Sequence, residues 1–269
     1  MSLAEQLASY ILSAMISWIP LGNQYERGLD GHWLRDSRGY YVQEDQAQAL
    51  ARYEATARDI ASVALDEDNV PLFRGSDGRV KTALLLAAIA SFEGGYHKWV
   101  EDGVCNTAIF KKDHPHECDG GHAWTNWQIH MYQYVIKGGE MTQAQYLENS
   151  LDKADRDWIK EHKDDIIRPE QLTQDKRLAA LVAYYLARYS LRNFQSLCSY
   201  SGEDCLGRHP KADQRKDRAV AYLRAHPFTF ETEPAAPPAD LIEQQILEIV
   251  AGVSPLWRRS QILARLQLN

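Results

Sequence analysis

Only four cysteines occur in this chain of 269 residues, and no two of them form a C-x-x-C pair. That spacing excludes the common zinc modules. Positive charge is also scarce: 30 basic residues against 37 acidic ones leave a net charge of −7. A general nucleic-acid binder should carry a basic footprint, so no nucleic-acid partner is expected. There is no Gly-rich phosphate loop, dinucleotide fingerprint or nucleophile elbow, which removes the sequence grounds for those enzyme classes. Long apolar runs are missing as well. The segment Tyr10 to Ile19 is too short to span a bilayer, so no transmembrane segment is expected. It also lacks a basic leader and a small-residue cleavage site, and Glu5 precedes it, so no secretory signal is expected. The length suffices for one large or two modest domains with a real core.

Two stretches are informative. The first, ALLLAAIASFEGGYHKW from Ala83 to Trp99, is apolar almost all round as far as Phe92 and then reaches a single carboxylate, Glu93. Such a pattern predicts a buried helix, with Gly94 and Gly95 as its stop signal. Glu93 then sits at the negative end of the helix dipole. Apolar surroundings and the dipole both disfavour the ionised carboxylate, which predicts a raised pKa suited to a general acid. The second stretch, DGGHAWTNWQIH from Asp119 to His130, places Trp124 and Trp127 around Gln128. Indole faces stack on sugar rings, and an amide can hydrogen-bond an acetamido or hydroxyl group. One of the two indoles is expected to serve the core.

Glu93 on a core helix, followed by a Gly-rich loop and the segment Trp124-Thr125-Asn126-Trp127-Gln128-Ile129, resembles the lysozyme-like superfamily, with soluble lytic transglycosylases and goose-type lysozymes nearest. The resemblance covers roughly residues 59 to 230. Gly94 stands where Ser is usual, Asn126-Trp127 where Leu-Met is usual, and an insertion bounded by Cys105 and Cys118 lengthens the interval between Glu93 and Gln128. The resemblance implies a mainly α, lysozyme-like domain that cleaves the β-1,4-linked glycan strands of peptidoglycan without a cofactor. Glu93 would protonate the glycosidic oxygen, and an oxocarbenium-like state would follow. In a lytic transglycosylase the muramoyl C6 hydroxyl then closes on C1, and no second carboxylate is needed. A hydrolase needs a positioned water, and Asp119 resembles one goose-type acid by its spacing from Gln128. The other goose-type acid falls at His130. Asp102 and Asp113 are further candidates on the insertion. Gly94, Gly95 and Tyr96 join Trp124, Trp127, Gln128 and His130 as expected substrate-binding positions. The family's third element is a Tyr aimed at the catalytic Glu. Tyr200 in CSYSGEDC is the preferred match, whereas Tyr184 and Tyr185 have the helical spacing of core residues.

The cysteines fall as two close pairs, Cys105 with Cys118 and Cys198 with Cys205. Four cysteines allow three pairings, and the local one would staple a loop on each side of the proposed cleft. Disulfides would imply an oxidising destination, here the cell envelope, reached through a phage particle or an export apparatus. A zinc site built from Cys105, His114, His116, Cys118 and His122 competes for the same loop.

The remaining sequence reads as mainly α with at most a small β-hairpin. A short apolar N-terminal helix precedes a possible hairpin at WLRDSRGYYV, and a long amphipathic helix runs from about Glu44 to Leu65. Asp66-Glu67-Asp68-Asn69 reads as a solvated turn. Helices are drawn from Thr173 to Phe194 and from Ala212 to His226, the latter with Lys211, Arg215, Lys216 and Arg218 on a solvated face. The expected organisation is an N-terminal helical extension (1–58), a catalytic domain (59–230), a Pro-rich linker (231–239) and a helical tail (240–269) that folds back or docks a partner. Two other classes are a catalytically inactive lysozyme-like binding or structural protein, and a virion or secretion-apparatus component whose chief role is assembly, with wall cleavage secondary.

Overall fold

The computed structural model describes residues 1–130, 134–135, 141–142, 167–203, 205–207 and 210–230. Helix α1 (Leu3–Trp18) starts at Ser2 in a reciprocal capping box. The Ser2 hydroxyl accepts from the Glu5 amide at 3.2 Å, and Glu5 Oε2 accepts from the Ser2 amide at 2.6 Å. Helix α2 (Gln46–Leu65) is capped by Asp45, whose carboxylate accepts from the Ala47 and Gln48 amides at 3.0 Å. Its buried stripe of Ala49, Tyr53, Ala57, Ile60 and Ala61 follows the helical period. At its far end Arg79 Nη1 donates to the carbonyls of Ala64 (2.7 Å) and Asp66 (2.9 Å), groups with no partner inside the helix. Asn69 is buried rather than solvated, and its Nδ2 donates to the Val63 carbonyl at 2.9 Å. The 66–69 turn therefore locks the end of α2.

Helix α3 (Gly78–Glu93) is the centre of the helices that pack around it. Every residue from Ala83 to Ala90 is buried, because helices pack on it from several sides: α1, α2, α7 (Lys176–Phe194) and α8 (Pro210–Ala225). Among the described residues, the chain between α3 and α7 includes the short helices α4 (Lys98–Glu101), α5 (Ala108–Asp113) and α6 (Pro169–Gln174). The single helix expected from Thr173 to Phe194 is in fact two, α6 and α7. Asp175 leaves helical geometry (φ −122°, ψ 100°), and its carboxylate accepts from the Leu178 amide at 2.9 Å to start α7.

Strands are few. β1 (Ala123–Trp124) pairs antiparallel with β2 (Ile129–His130), Ala123 opposite His130. Isolated antiparallel bridges Tyr25–Gln43, Arg27–Trp33 and Arg35–Tyr41 form a small ribbon ahead of α2 that contains the expected hairpin. The fold class is thus mainly α with small two-stranded pairings, as the sequence implies. Met1–His130 and Pro169–Ala235 make one compact unit. The division expected at residue 58 falls inside α2, and α1 packs against both α2 and α3, so the N-terminal helices belong to the core that carries Glu93. In the second unit β3 (Tyr134–Val135) pairs antiparallel with β4 (Met141–Thr142). The expected linker and tail, 231–269, lie outside the described residues. No described helix is long and apolar enough to cross a membrane. The disulfides are the local ones, Cys105–Cys118 and Cys198–Cys205, which suit an oxidising compartment.

Candidate active site

Glu93 is the last residue of α3, and the chain turns sharply after it. The Gly94 and Gly95 amides both donate to the Ala90 carbonyl at 3.0 Å, and Gly95 and Tyr96 adopt positive φ (59° and 55°). Gly94 is needed for a different reason. A Cβ at this position would lie 2.5 Å from Asn126 Cα and 2.6 Å from the Asn126 carbonyl oxygen. Only glycine lets the 124–128 segment pack directly on the end of α3, so the Ser usual in the resembled family would not fit here. Tyr96 does not face a ligand. It is fully buried, donates its hydroxyl to the Ala87 carbonyl and packs 5.1 Å from the Tyr53 ring. A fully buried phenol whose hydroxyl is satisfied by the main chain fills the core, which overturns its expected substrate role.

The 123–130 hairpin is strained at both shoulders of its loop, with φ 61° at Thr125 and 46° at Gln128. Its anchors are inside. Trp127 is 2% exposed, and its indole Nε1 donates to the Leu86 carbonyl at 3.0 Å. Trp127 is therefore the core indole and not a sugar platform. Trp124 and Gln128 are half-buried. Gln128 Nε2 donates to the Thr125 carbonyl at 3.0 Å, which fixes the amide. Below the loop, Asn126 Nδ2 donates to Glu101 Oε2 at 3.3 Å, and Glu101 shares Arg52 with the buried Glu44. Burial holds the Glu101 carboxyl above the ordinary range, with Lys176 and Arg52 opposing it.

The Glu93 carboxyl meets Arg215 of α8. Arg215 Nε donates to Glu93 Oε1 at 2.8 Å, and Nη2 contacts the same oxygen. Both side chains are largely buried. Burial raises the Glu93 pKa above its ordinary value; Arg215 pulls against that, as do His130 and Lys211, without cancelling it. Of the four cations read as a solvated face, Arg215 is therefore part of an inner wall, while Lys211 is exposed and the Lys216 side chain is half-exposed. Arg218 also belongs to that wall, with its guanidinium 3.8 Å from the Phe92 ring centroid and Nη1 donating to Ser91 Oγ at 2.7 Å. The sequence did hold a signal: Ala212, Arg215 and Ala219 lie at helical spacing on one side, and all three are buried.

Tyr200 does reach this place. Its hydroxyl donates to the Trp127 carbonyl at 2.8 Å, and burial, with the nearby Glu93 charge, pushes its pKa well up. The loop that carries it is closed by Cys198–Cys205 and also holds Glu203. Glu203 accepts from the Lys211 and Ala212 amides at 3.1 and 2.9 Å, near the start of α8. One disulfide loop thus ties the Gln128 hairpin to the helix that supplies Arg215. On the other side, Asp119 Oδ2 lies 2.6 Å from His130 Nε2. Asp119 has φ 49° in a left-handed turn just after Cys118. Asp102 and Asp113 are exposed, at the end of α4 and in the last position of α5. Tyr184 and Tyr185 are buried, and the Tyr184 hydroxyl donates to the Val70 carbonyl at 2.7 Å.

The structure therefore brings Glu93, Gly94, Tyr200 and the 124–130 hairpin together, removes Tyr96 and Trp127 to the core, and adds Arg215. Cys105 and Cys118 are joined to each other and hold no thiolate for zinc. His114 Nδ1 is 3.0 Å from Glu117 Oε1. Comparison with protein-family models, with curated proteins and with solved structures gives no match.

Proposed function

We propose that the protein cleaves the glycan strands of peptidoglycan, with Glu93 as general acid and then general base, in the manner of a lytic transglycosylase. The observation that carries this reading is the setting of Glu93: a carboxyl at the end of a buried helix, raised by burial, gripped through one oxygen by Arg215 and adjoined by the Gln128 hairpin. Arg215 on Oε1 leaves Oε2 as the oxygen that carries the proton. Oε2 gives that proton to the glycosidic oxygen, and the C1–O bond breaks. The C6 hydroxyl of the muramoyl sugar then bonds to C1 and returns its proton to Glu93, giving a 1,6-anhydro end. As Glu93 ionises in the first step, Arg215 stabilises the charge that forms. Tyr200 holds the hairpin from behind through the Trp127 carbonyl, while Trp124 and Gln128 are the residues offered to the sugar.

A hydrolytic second reading is favoured by one observation, the 2.6 Å Asp119–His130 pair on the strand whose His130 acts electrostatically on Glu93. Such a pair can position and deprotonate a water on the far side of the sugar. Digestion of purified peptidoglycan by wild type and Glu93→Gln, followed by mass spectrometry, tests both. Anhydro-muramoyl ends from wild type alone support the transglycosylase, reducing ends support the hydrolase, and no glycan scission at all rejects both.

A further inference from the structure

The ribbon ahead of α2 carries a feature that the Glu93 site does not use. A cleft there is lined by Tyr25, Tyr40, Tyr41, Asp36, Arg38 and Gln43. Tyr40 and Tyr41 are 67% and 50% exposed, an unusual outlay of aromatic surface on a turn. The Tyr41 ring is nevertheless held in place, and Arg38 lies 5.5 Å over the Tyr40 ring. Arg35 lies 4.2 Å over the Tyr41 ring, and Tyr25 and Trp33 meet Tyr41 edge-on at 6.2 and 6.1 Å. The turn beneath is also fixed, since Asp36 Oδ1 accepts from the Arg38 and Tyr40 amides at 2.9 and 3.0 Å, and Arg35 Nη1 donates to the Gly39 carbonyl at 2.7 Å. A preformed aromatic wall loses little freedom when a ligand arrives.

Charge selects the ligand class. The one carboxylate and the one guanidinium of the cleft are paired with each other, Arg38 Nε and Nη2 reaching Asp36 Oδ2 at 3.2 and 3.1 Å. A phosphate or an acidic peptide would have to displace Asp36 from Arg38. A neutral ligand with an apolar ring face and peripheral hydroxyls would not. It could lie against the tyrosine rings and take hydrogen bonds from phenol and amide groups at the rim.

We infer that this cleft is a second glycan-binding site, separate from the Glu93 centre, which takes the neutral amino-sugar chain of the wall and keeps the protein on its insoluble substrate. The choice of glycan over other neutral polyols rests on the proposed function. Tyr40→Ala/Tyr41→Ala, made in the Glu93→Gln background so that nothing is cleaved, is compared with its parent by co-sedimentation with purified peptidoglycan sacculi. The expected result is at least about a tenfold loss of affinity from two stacking rings, and a parental affinity that does not fall between low and high salt. In the background that keeps Glu93, turnover of short soluble glycan fragments should stay within twofold of wild type. Tyr41→Ala also removes the contacts to Arg35, Tyr25 and Trp33, so a small fall in melting temperature is expected of the double variant; Tyr40→Ser alone, which removes the more exposed ring and leaves those contacts, should weaken sedimentation in the same direction with the melting temperature unchanged. Sedimentation within twofold of the parent overturns the inference, and so does binding that collapses with salt. If Glu93→Gln still cleaves the wall while the rings still govern sedimentation, only the catalytic assignment falls. If cleavage depends on Glu93 but sedimentation ignores the rings, only the second site falls.

Discussion

Arg215 and Glu93, 122 positions apart in sequence, share a single carboxylate oxygen: Nε approaches Oε1 at 2.8 Å and Nη2 closes on the same atom. Two donors on one oxygen fix the carboxyl plane and leave the other oxygen to act. The pair also sets an electrostatic balance, because burial favours the protonated acid while the guanidinium favours its anion.

Removing the guanidinium should tilt that balance. In Arg215→Met the Glu93 pKa rises further, so the alkaline limb of the kcat/KM profile for soluble glycan moves to higher pH while the plateau drops. The stability effect has a definite sign. The folded-state value of Glu93 lies above its unfolded one, so the benefit of the protonated acid is complete below the unfolded value and is lost as pH rises through the folded value. Denaturant melts from about pH 4 to 8 should therefore show Arg215→Met losing most at the alkaline end, by about 3–5 kcal/mol for a buried charge left alone.

Gly94→Ala tests the close approach of helix and hairpin. The added methyl would meet Asn126 backbone at 2.5 Å, where only a main-chain shift makes room. A destabilisation of about 1–3 kcal/mol is expected, with a larger proportional loss of activity because the Gln128 segment moves away from Glu93. Gly94→Ser should behave the same way, although Ser is the usual residue in the resembled family. Thermal melts and turnover on soluble glycan check both.

Tyr200→Phe removes the donor to the Trp127 carbonyl while keeping the ring. The expected loss of stability is about 0.5–1.5 kcal/mol. If Tyr200 acts by holding the hairpin, kcat falls and the position of the pH limb set by Glu93 stays nearly where it was. A pH–rate profile separates this from a direct proton-transfer role, which would move the limb.

The Cys105–Cys118 bridge closes a 13-residue separation immediately before Asp119. Replacing both cysteines by Ser should cost about 3 kcal/mol and free the turn that sets Asp119 beside His130. In unfolding measurements, reductant should shift wild type more than the double variant, because wild type loses both bridges and the variant only Cys198–Cys205.

Much of this arrangement was legible in the sequence. The apolar run from Ala83 to Ala90 forces a buried helix, and two glycines after Glu93 force its end, so the site's central residue follows from local pattern. Asp45 shows how a cap declares a helix start. The same chemistry at Asp175 was readable in principle, but the short polar helix before it, PEQLTQ, gives no apolar period whose end would mark the break. Tyr96 and Trp127 could not be placed, because a Tyr or Trp beside a site looks the same whether its polar tip meets a ligand or a buried carbonyl such as that of Ala87 or Leu86. Arg215 was the main omission. A cation at helical spacing among other cations reads as a wet face unless its distant partner is known, and Glu93 is that partner.

The most direct measurement is the initial rate of solubilisation of purified peptidoglycan by wild type and by Glu93→Gln, with far-UV circular dichroism and a thermal melt showing both folded. The account predicts a fall of at least about a hundredfold, the scale of a lost general acid. A Glu93→Gln protein that solubilises the wall within twofold of wild type would contradict it.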